Sequence, residues 1–187
     1  MNRYHIILAS KSPRRQELLK GLDVDFEVHV KEGIDESFPK ELEPEQVPVY
    51  ISQKKAAAYE ITPGNMLITA DTVVVAGREI LGKPKDAGEA SLMLHKLSGK
   101  THTVTTGVTM KTCDRQVSFP VTTKVTFRKL TDEEIDYYIT NYKPFDKAGA
   151  YGVQEWIGYV AVTSLEGSYF NVMGLPVQRI YDELKKF

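Results

Sequence analysis

An ionised carboxylate in the middle of an apolar run is costly unless a cation, a metal or a set of donors lies beside it. Asp71 is so placed in Ile68-Thr69-Ala70-Asp71-Thr72-Val73-Val74. It reads as a metal ligand or a general base; the plainer alternative is a structural aspartate bonded to a nearby turn. A second feature is Ser10-Lys11-Ser12-Pro13-Arg14-Arg15, where a strand gives way to a helix. There the hydroxyls of Ser10 and Ser12, the guanidiniums of Arg14 and Arg15 and the unpaired N–H groups of the helix could all face one anion. Without the required glycines the segment is neither a P-loop nor a dinucleotide fingerprint. A third group comprises Lys55, on the inward face of a predicted helix, Lys83 in Gly82-Lys83-Pro84, and the acidic pair Asp35-Glu36. Together these residues form the mixed-sign set that triphosphate hydrolysis needs: carboxylates for a divalent cation and cations to offset phosphate. Oxygen ligands favour Mg²⁺ or Mn²⁺ over zinc.

The composition narrows what such a set can serve. With 24 Lys+Arg against 25 Asp+Glu the net charge is −1, which argues against an extended nucleic-acid surface. The single Cys113 excludes an internal disulfide and a cysteine zinc knuckle, and a reducing, cytoplasmic setting follows as the default. The four histidines have no metal-ligand spacing. No run of ~18 apolar residues exists for a membrane span, and Ile6 to Ala9 is too short for a signal-peptide core. A chain of 187 residues with 42% hydrophobic content supports one domain over 1–187, or two closely joined lobes.

The elements that must position these groups follow from periodicity. Tyr4 to Leu8 reads as a strand, followed by a helix with Ser12 as N-cap, Pro13 at its first position and Gly21 as the left-handed residue past its end. Phe26 to Val30 reads as a strand, Glu32 to Glu45 as an exposed acidic loop, and Glu45 to Tyr59 as a helix with Val47, Ile51, Lys55 and Ala58 on one face. Met66 to Val75 is an almost wholly apolar strand, and Asp86 with Glu89 opens a helix ending near Gly99. Two strands alternating from His102 and Val117 are joined as a hairpin across Lys111 to Gln116. Thr131 and Glu134 form a capping box, Gly149 to Gly152 a turn, Tyr159 to Thr163 a short strand, and Pro176 starts the last helix. Strands that alternate with helices early and pair as a hairpin later predict a mixed-sheet α/β fold.

Several stretches, in order, resemble the Maf-type nucleoside triphosphate pyrophosphatases: Leu8-Ala9-Ser10-Lys11-Ser12-Pro13-Arg14-Arg15, Ala70-Asp71-Thr72-Val73-Val74, Lys83-Pro84, Leu97-Ser98-Gly99, Lys147-Ala148-Gly149-Ala150-Tyr151-Gly152 and Asn171-Val172-Met173-Gly174-Leu175-Pro176. The resemblance implies a Maf/ITPase-like α/β fold, an elongated mixed β-sheet flanked by helices around a central cleft, often dimeric. It implies cleavage between the α and β phosphates of a nucleotide with a divalent cation. It makes Asp71 the catalytic acidic residue and Glu36, Lys55 and Lys83 charged residues of the cleft; with the charge pattern above, Glu36 and Asp71 are expected to hold the metal, and Ser10, Ser12, Arg14, Arg15, Lys55 and Lys83 to bind phosphate. Arg14, Thr72 and Gln154 match the positions that mark dTTP and UTP preference, whereas the pattern of the 7-methyl-GTP sister group is missing. Alternatives are a 7-methyl-GTP-type pyrophosphatase and a non-enzymatic nucleotide-binding regulator of cell division. One departure stands out: after Gln154 the family commonly has glycines, and this chain has Glu155-Trp156-Ile157.

Overall fold

In the computed structural model, which describes residues 3–187, the backbone alternates strand and helix and then pairs long strands, as the periodicity predicts. The strands are β1 (His5–Leu8), β2 (Phe26–Val28), β3 (Asn65–Ala76), β4 (Glu79–Leu81), β5 (Thr101–Lys111), β6 (Gln116–Phe127) and β7 (Val162–Glu166). The helices are α1 (Pro13–Lys20), α2 (Val47–Ala57), α3 (Ala87–Leu97), α4 (Asp132–Tyr142), α5 (Trp156–Ala161), α6 (Tyr169–Met173) and α7 (Val177–Leu184), with a 3₁₀ turn at Ala148–Ala150. The strand order is β2-β1-β3-β5-β6-β7, with β4 also paired to β3, so the sheet is mixed. Contacts divide the chain into two compact units, and β3, β5 and β6 each run from one into the other.

Unit 1 comprises residues 3–71, 106–121 and 174–187 of the described chain. Here β1 lies parallel to both β2 and β3, with Leu8 opposite Val28 and Ile68. Ile6, Leu8, Met66, Leu67 and Ile68 are buried, as expected where helices cover a parallel sheet. Parallel register sets the carboxyl end of β1 beside the middle of β3, Leu8 opposite Ile68, so the Ser10 to Ser12 loop leaves the sheet near Ala70 and Asp71. Ser12 caps α1 as predicted, its Oγ accepting from Arg15 N–H at 3.4 Å. Gly21 does not take the left-handed conformation: its φ is −63°, and Asp23 turns the chain with φ 54° instead. The helix unwinds through successive tight turns before it reverses, and aspartate tolerates the left-handed region by local bonding. In α2, Val47 and Ile51 are buried, but Ala58 lies past the helix end and is exposed, with Ala56 in the core instead.

Unit 2, residues 72–105 and 122–173, holds its own core, in which α3, α4 and α5 contribute Leu94, Leu97, Ile135, Tyr138 and Ile157 around Val104, Val125 and Phe127. The Thr131–Glu134 capping box forms reciprocally. At α3, Asp86 accepts from Glu89 N–H as expected, but the Glu89 carboxylate bonds Lys85 N–H, one residue earlier than a capping box requires. The strand predicted over Tyr159 to Thr163 is displaced: Tyr159 to Ala161 belong to α5, and β7 runs Val162–Glu166. A Cβ at Gly158 would lie 1.7 Å from the Val153 carbonyl oxygen, so the glycine permits a close helical turn that buries Ile157 and Ala161 at i, i+4.

Candidate active site

Asp71 ends the unit 1 stretch of β3 with its side chain 16% exposed, and its compensating cation is Lys55. Lys55 Nζ lies 3.0 Å from Asp71 Oδ1 and 3.2 Å from Glu36 Oε1, and its side chain is 14% exposed. The helical phase of α2 directs Lys55 inward toward β3, and the acidic loop lays Glu36 over it. One residue along each element, Lys54 pairs with Asp35 at 2.8 Å and donates to the Ser37 carbonyl at 2.9 Å. Asp35 is held well below the usual carboxylate range by Lys54, with Ser37 adding two more donors. The two lysines and two acids therefore clamp in register: the outer pair fastens the loop while the inner pair faces Asp71. Sequence reading missed that outer clamp; the adjacent Lys-Lys and Asp-Glu pairs were its only trace.

The Ser10–Arg15 segment meets the same stretch of β3, through Arg15 at Ala70. Ser10 and Ser12 accept from backbone N–H groups through their Oγ atoms, Ser12 N at 3.2 Å and Arg15 N at 3.4 Å. Each hydroxyl proton is then oriented to donate elsewhere. Arg15 donates from Nη1 to the Ala70 carbonyl at 2.9 Å and from Nε to the Gly174 carbonyl at 2.8 Å. Burial pulls its guanidinium below its ordinary range, opposed by Asp71. Arg15 thus braces the middle of β3, at Ala70, against the Gly174 segment. Arg14 is half-buried, close enough to Arg15 for repulsion to be felt.

The remaining candidates, Thr72, Lys83 and Gln154, belong to unit 2. Thr72 is half-buried in β3, and Lys83 is exposed after β4. Gly149, with φ 69°, packs so closely on β3 that a Cβ would stand 2.9 Å from the Val74 methyls, and its N–H bonds the Gly82 carbonyl at 3.0 Å. That glycine ties the Lys83 loop and the 147–155 turn to the stretch of β3 that carries Thr72. Gln154 sits on this turn with its Oε1 buried and without a hydrogen-bond partner among the described residues.

Two carboxylates converging on one point is a partial cation site. Among the described residues no group of three or more His, Cys, Asp or Glu could hold a metal. Glu36 and Asp71 fit Mg²⁺-like binding in which one or two carboxylates are completed by waters and phosphate oxygens. They do not form a closed protein cage.

Known proteins resemble this chain over its full length. A relative from Phocaeicola vulgatus named dTTP/UTP pyrophosphatase is 56% identical, the match covering 100% of this chain and 97% of that one. Relatives of the same name from Parabacteroides distasonis and Porphyromonas gingivalis are 53% and 51% identical, covering 98% and 96% of their own lengths. The family described as Maf-like protein matches residues 5–187, so both units and every candidate residue above lie within it. With the Ser10–Arg15 loop, Asp71 and Gln154 set on the elements described, this chain belongs to the Maf-like protein family.

Proposed function

We propose that this chain is a dTTP/UTP pyrophosphatase, which hydrolyses dTTP and UTP between the α and β phosphates to give the nucleoside monophosphate and pyrophosphate. The observation that carries the reading is the Asp71–Lys55–Glu36 set at the middle of β3, where the chain leaving β1 opens the helix start that bears Ser10, Ser12 and Arg14. The names of the relatives at 51–56% identity support the substrate pair.

Asp71 takes the proton of the attacking water, or holds the cation that polarises that water, while Lys55 fixes the orientation of the carboxylate. The hydroxyls of Ser10 and Ser12, the guanidinium of Arg14 and Lys83 donate to phosphate oxygens, where negative charge grows during transfer. Arg15, engaged with two carbonyls, keeps the Ala70–Asp71 stretch of β3 in place while adding positive potential. Glu36 and Asp71 would hold a divalent cation together with the phosphates. When bound, that cation neutralises phosphate charge and eases the departure of pyrophosphate.

Asp71→Asn should lower dTTP and UTP turnover by about 10² to 10⁴-fold. The readout is phosphate released after coupled inorganic pyrophosphatase, in a panel with CTP, ITP and 7-methyl-GTP; unchanged turnover in the variant rules out the role given to Asp71. Excess EDTA should abolish activity, and Mg²⁺ or Mn²⁺ should restore it. The melting temperature should move little, because Lys55 already pairs with both carboxylates in the metal-free protein. The same reading places the enzyme with the nucleotide pools of the cytoplasm, as a homodimer that light scattering would register; no helix among the described residues is long and apolar enough to cross a membrane.

A further inference from the structure

The departure from the family pattern begins at Glu155, directly after Gln154, and the structure gives it partners. Glu155 accepts a short hydrogen bond from the Tyr138 hydroxyl through Oε2. Its Oε1 lies 3.0 Å from Lys147 Nζ. The Tyr138 oxygen in turn accepts from Gly152 N–H at 3.0 Å. Tyr138 is fully buried, and the Lys147 and Glu155 side chains are 9% and 20% exposed. Burial first, and Glu155 second, hold the Tyr138 phenol well above its usual range, so it stays a donor. A Cβ placed on Gly152 would lie 2.9 Å from Lys147 Cε, 3.1 Å from Gln154 Nε2 and 3.1 Å from Glu155 Cδ. The three side chains therefore close on a glycine that leaves them just enough room.

Such an arrangement is costly to assemble and strongly directional, since a mostly buried ion pair tolerates little displacement of either partner. It brackets the residue whose amide oxygen is buried and unmatched. A buried acceptor without a donor is unfavourable until something supplies one. The imide of uracil or thymine carries a ring N–H for it, whereas cytosine has no hydrogen on that nitrogen.

We propose that Glu155, held between the Tyr138 hydroxyl and Lys147, is a positioning residue that fixes the Gln154 amide for recognition of the pyrimidine imide. The inference rests on the proposed dTTP and UTP hydrolysis and deepens it: the preference comes from an acceptor that a base without the ring N–H leaves unpaired. Glu155→Gln preserves volume and removes the charge. It should raise KM for UTP and dTTP about tenfold, about 1.4 kcal/mol, with kcat within about twofold, and should narrow the preference for UTP over CTP by a similar factor. Inhibition by inorganic triphosphate, which has no base, should keep the wild-type Ki. Tyr138→Phe should reproduce the pattern, and if it fails to fold, Glu155→Gln decides. A Glu155→Gln enzyme with wild-type KM and preference, or one in which KM and the triphosphate Ki rise together, overturns the inference. Wild-type protein without UTP turnover overturns the proposed function itself, a distinct result.

Discussion

Lys55 illustrates how one side chain can serve both the fold and the chemistry. It separates two carboxylates that would otherwise repel each other, and both ends of its shorter contact are largely buried. Lys55→Met should therefore cost about 2 kcal/mol in urea denaturation and suppress turnover. Lys54→Ala, whose partner Asp35 is 70% exposed, should cost less than about 1 kcal/mol. Equal losses in the two variants would contradict the inner and outer division of the clamp. Helix phase chose Lys55 correctly from the sequence, because an inward lysine breaks the apolar stripe. Arg15 was not legible in the same way. Its carbonyl partners are 55 and 159 residues distant, so a pair of arginines at a helix start looked alike, although one of them is engaged with the backbone. Thr72 and Gln154 were found only through motif resemblance and Lys83 only as one member of a mixed-charge set, since a half-buried threonine and an exposed lysine bear no local mark of their role.

At the scale of elements, two glycines and one cap set the positions of the helices. A Cβ on Gly107 of β5 would fall 2.2 Å from the Pro48 carbonyl carbon and the Val49 nitrogen, so α2 rests with its backbone against that strand. Gly107→Ala should cost at least about 3 kcal/mol, above the usual range for overpacking because backbone rather than side chain must move. It should also weaken turnover, since α2 carries Lys55; a variant with wild-type stability would show that the helix is not so fixed. Thr131→Ala removes one half of a complete capping box and should cost about 1 kcal/mol, read as a lowered melting temperature. This box was legible because its two side chains lie three residues apart. The start of β7 was not, because Trp156 to Thr163 is a short apolar run that fits a strand or a helix turn equally well. What decided it is the close approach of Gly158 to Val153, a contact that periodicity does not encode.

For the whole molecule, the balance of titrating groups sets acid stability. Burial pulls His102 down to about 4, against about 6.5 in an unfolded chain. Between those values the unfolded chain takes up a proton that the folded one refuses. Stability is therefore intact above pH 6.5 and falls as pH drops toward 4, by up to about 3 kcal/mol. His95 works in the opposite sense: the Ser91 carbonyl and Asp132 raise it, so its contribution is present at low pH and fades as pH rises, though exposure keeps it small. Glu134 and Glu183, held low by Arg128 and Lys186, lose their contributions only in the more acidic carboxylate range. Urea titrations from pH 7 to 4.5 should show a decline that His102→Gln flattens; an equally steep decline in that variant would assign it elsewhere.

The interleaved course of the chain has a consequence for its birth on the ribosome. Unit 2 ends at residue 173, but unit 1 still awaits residues 174–187, including the Gly174 carbonyl to which Arg15 is anchored. Vectorial synthesis, which ordinarily lets amino-terminal domains fold first, is here reversed. Unit 1, which supplies the earlier segment 3–71, is completed only after unit 2, and the Ser10–Arg15 loop acquires its brace at Gly174 only once unit 2 has been made.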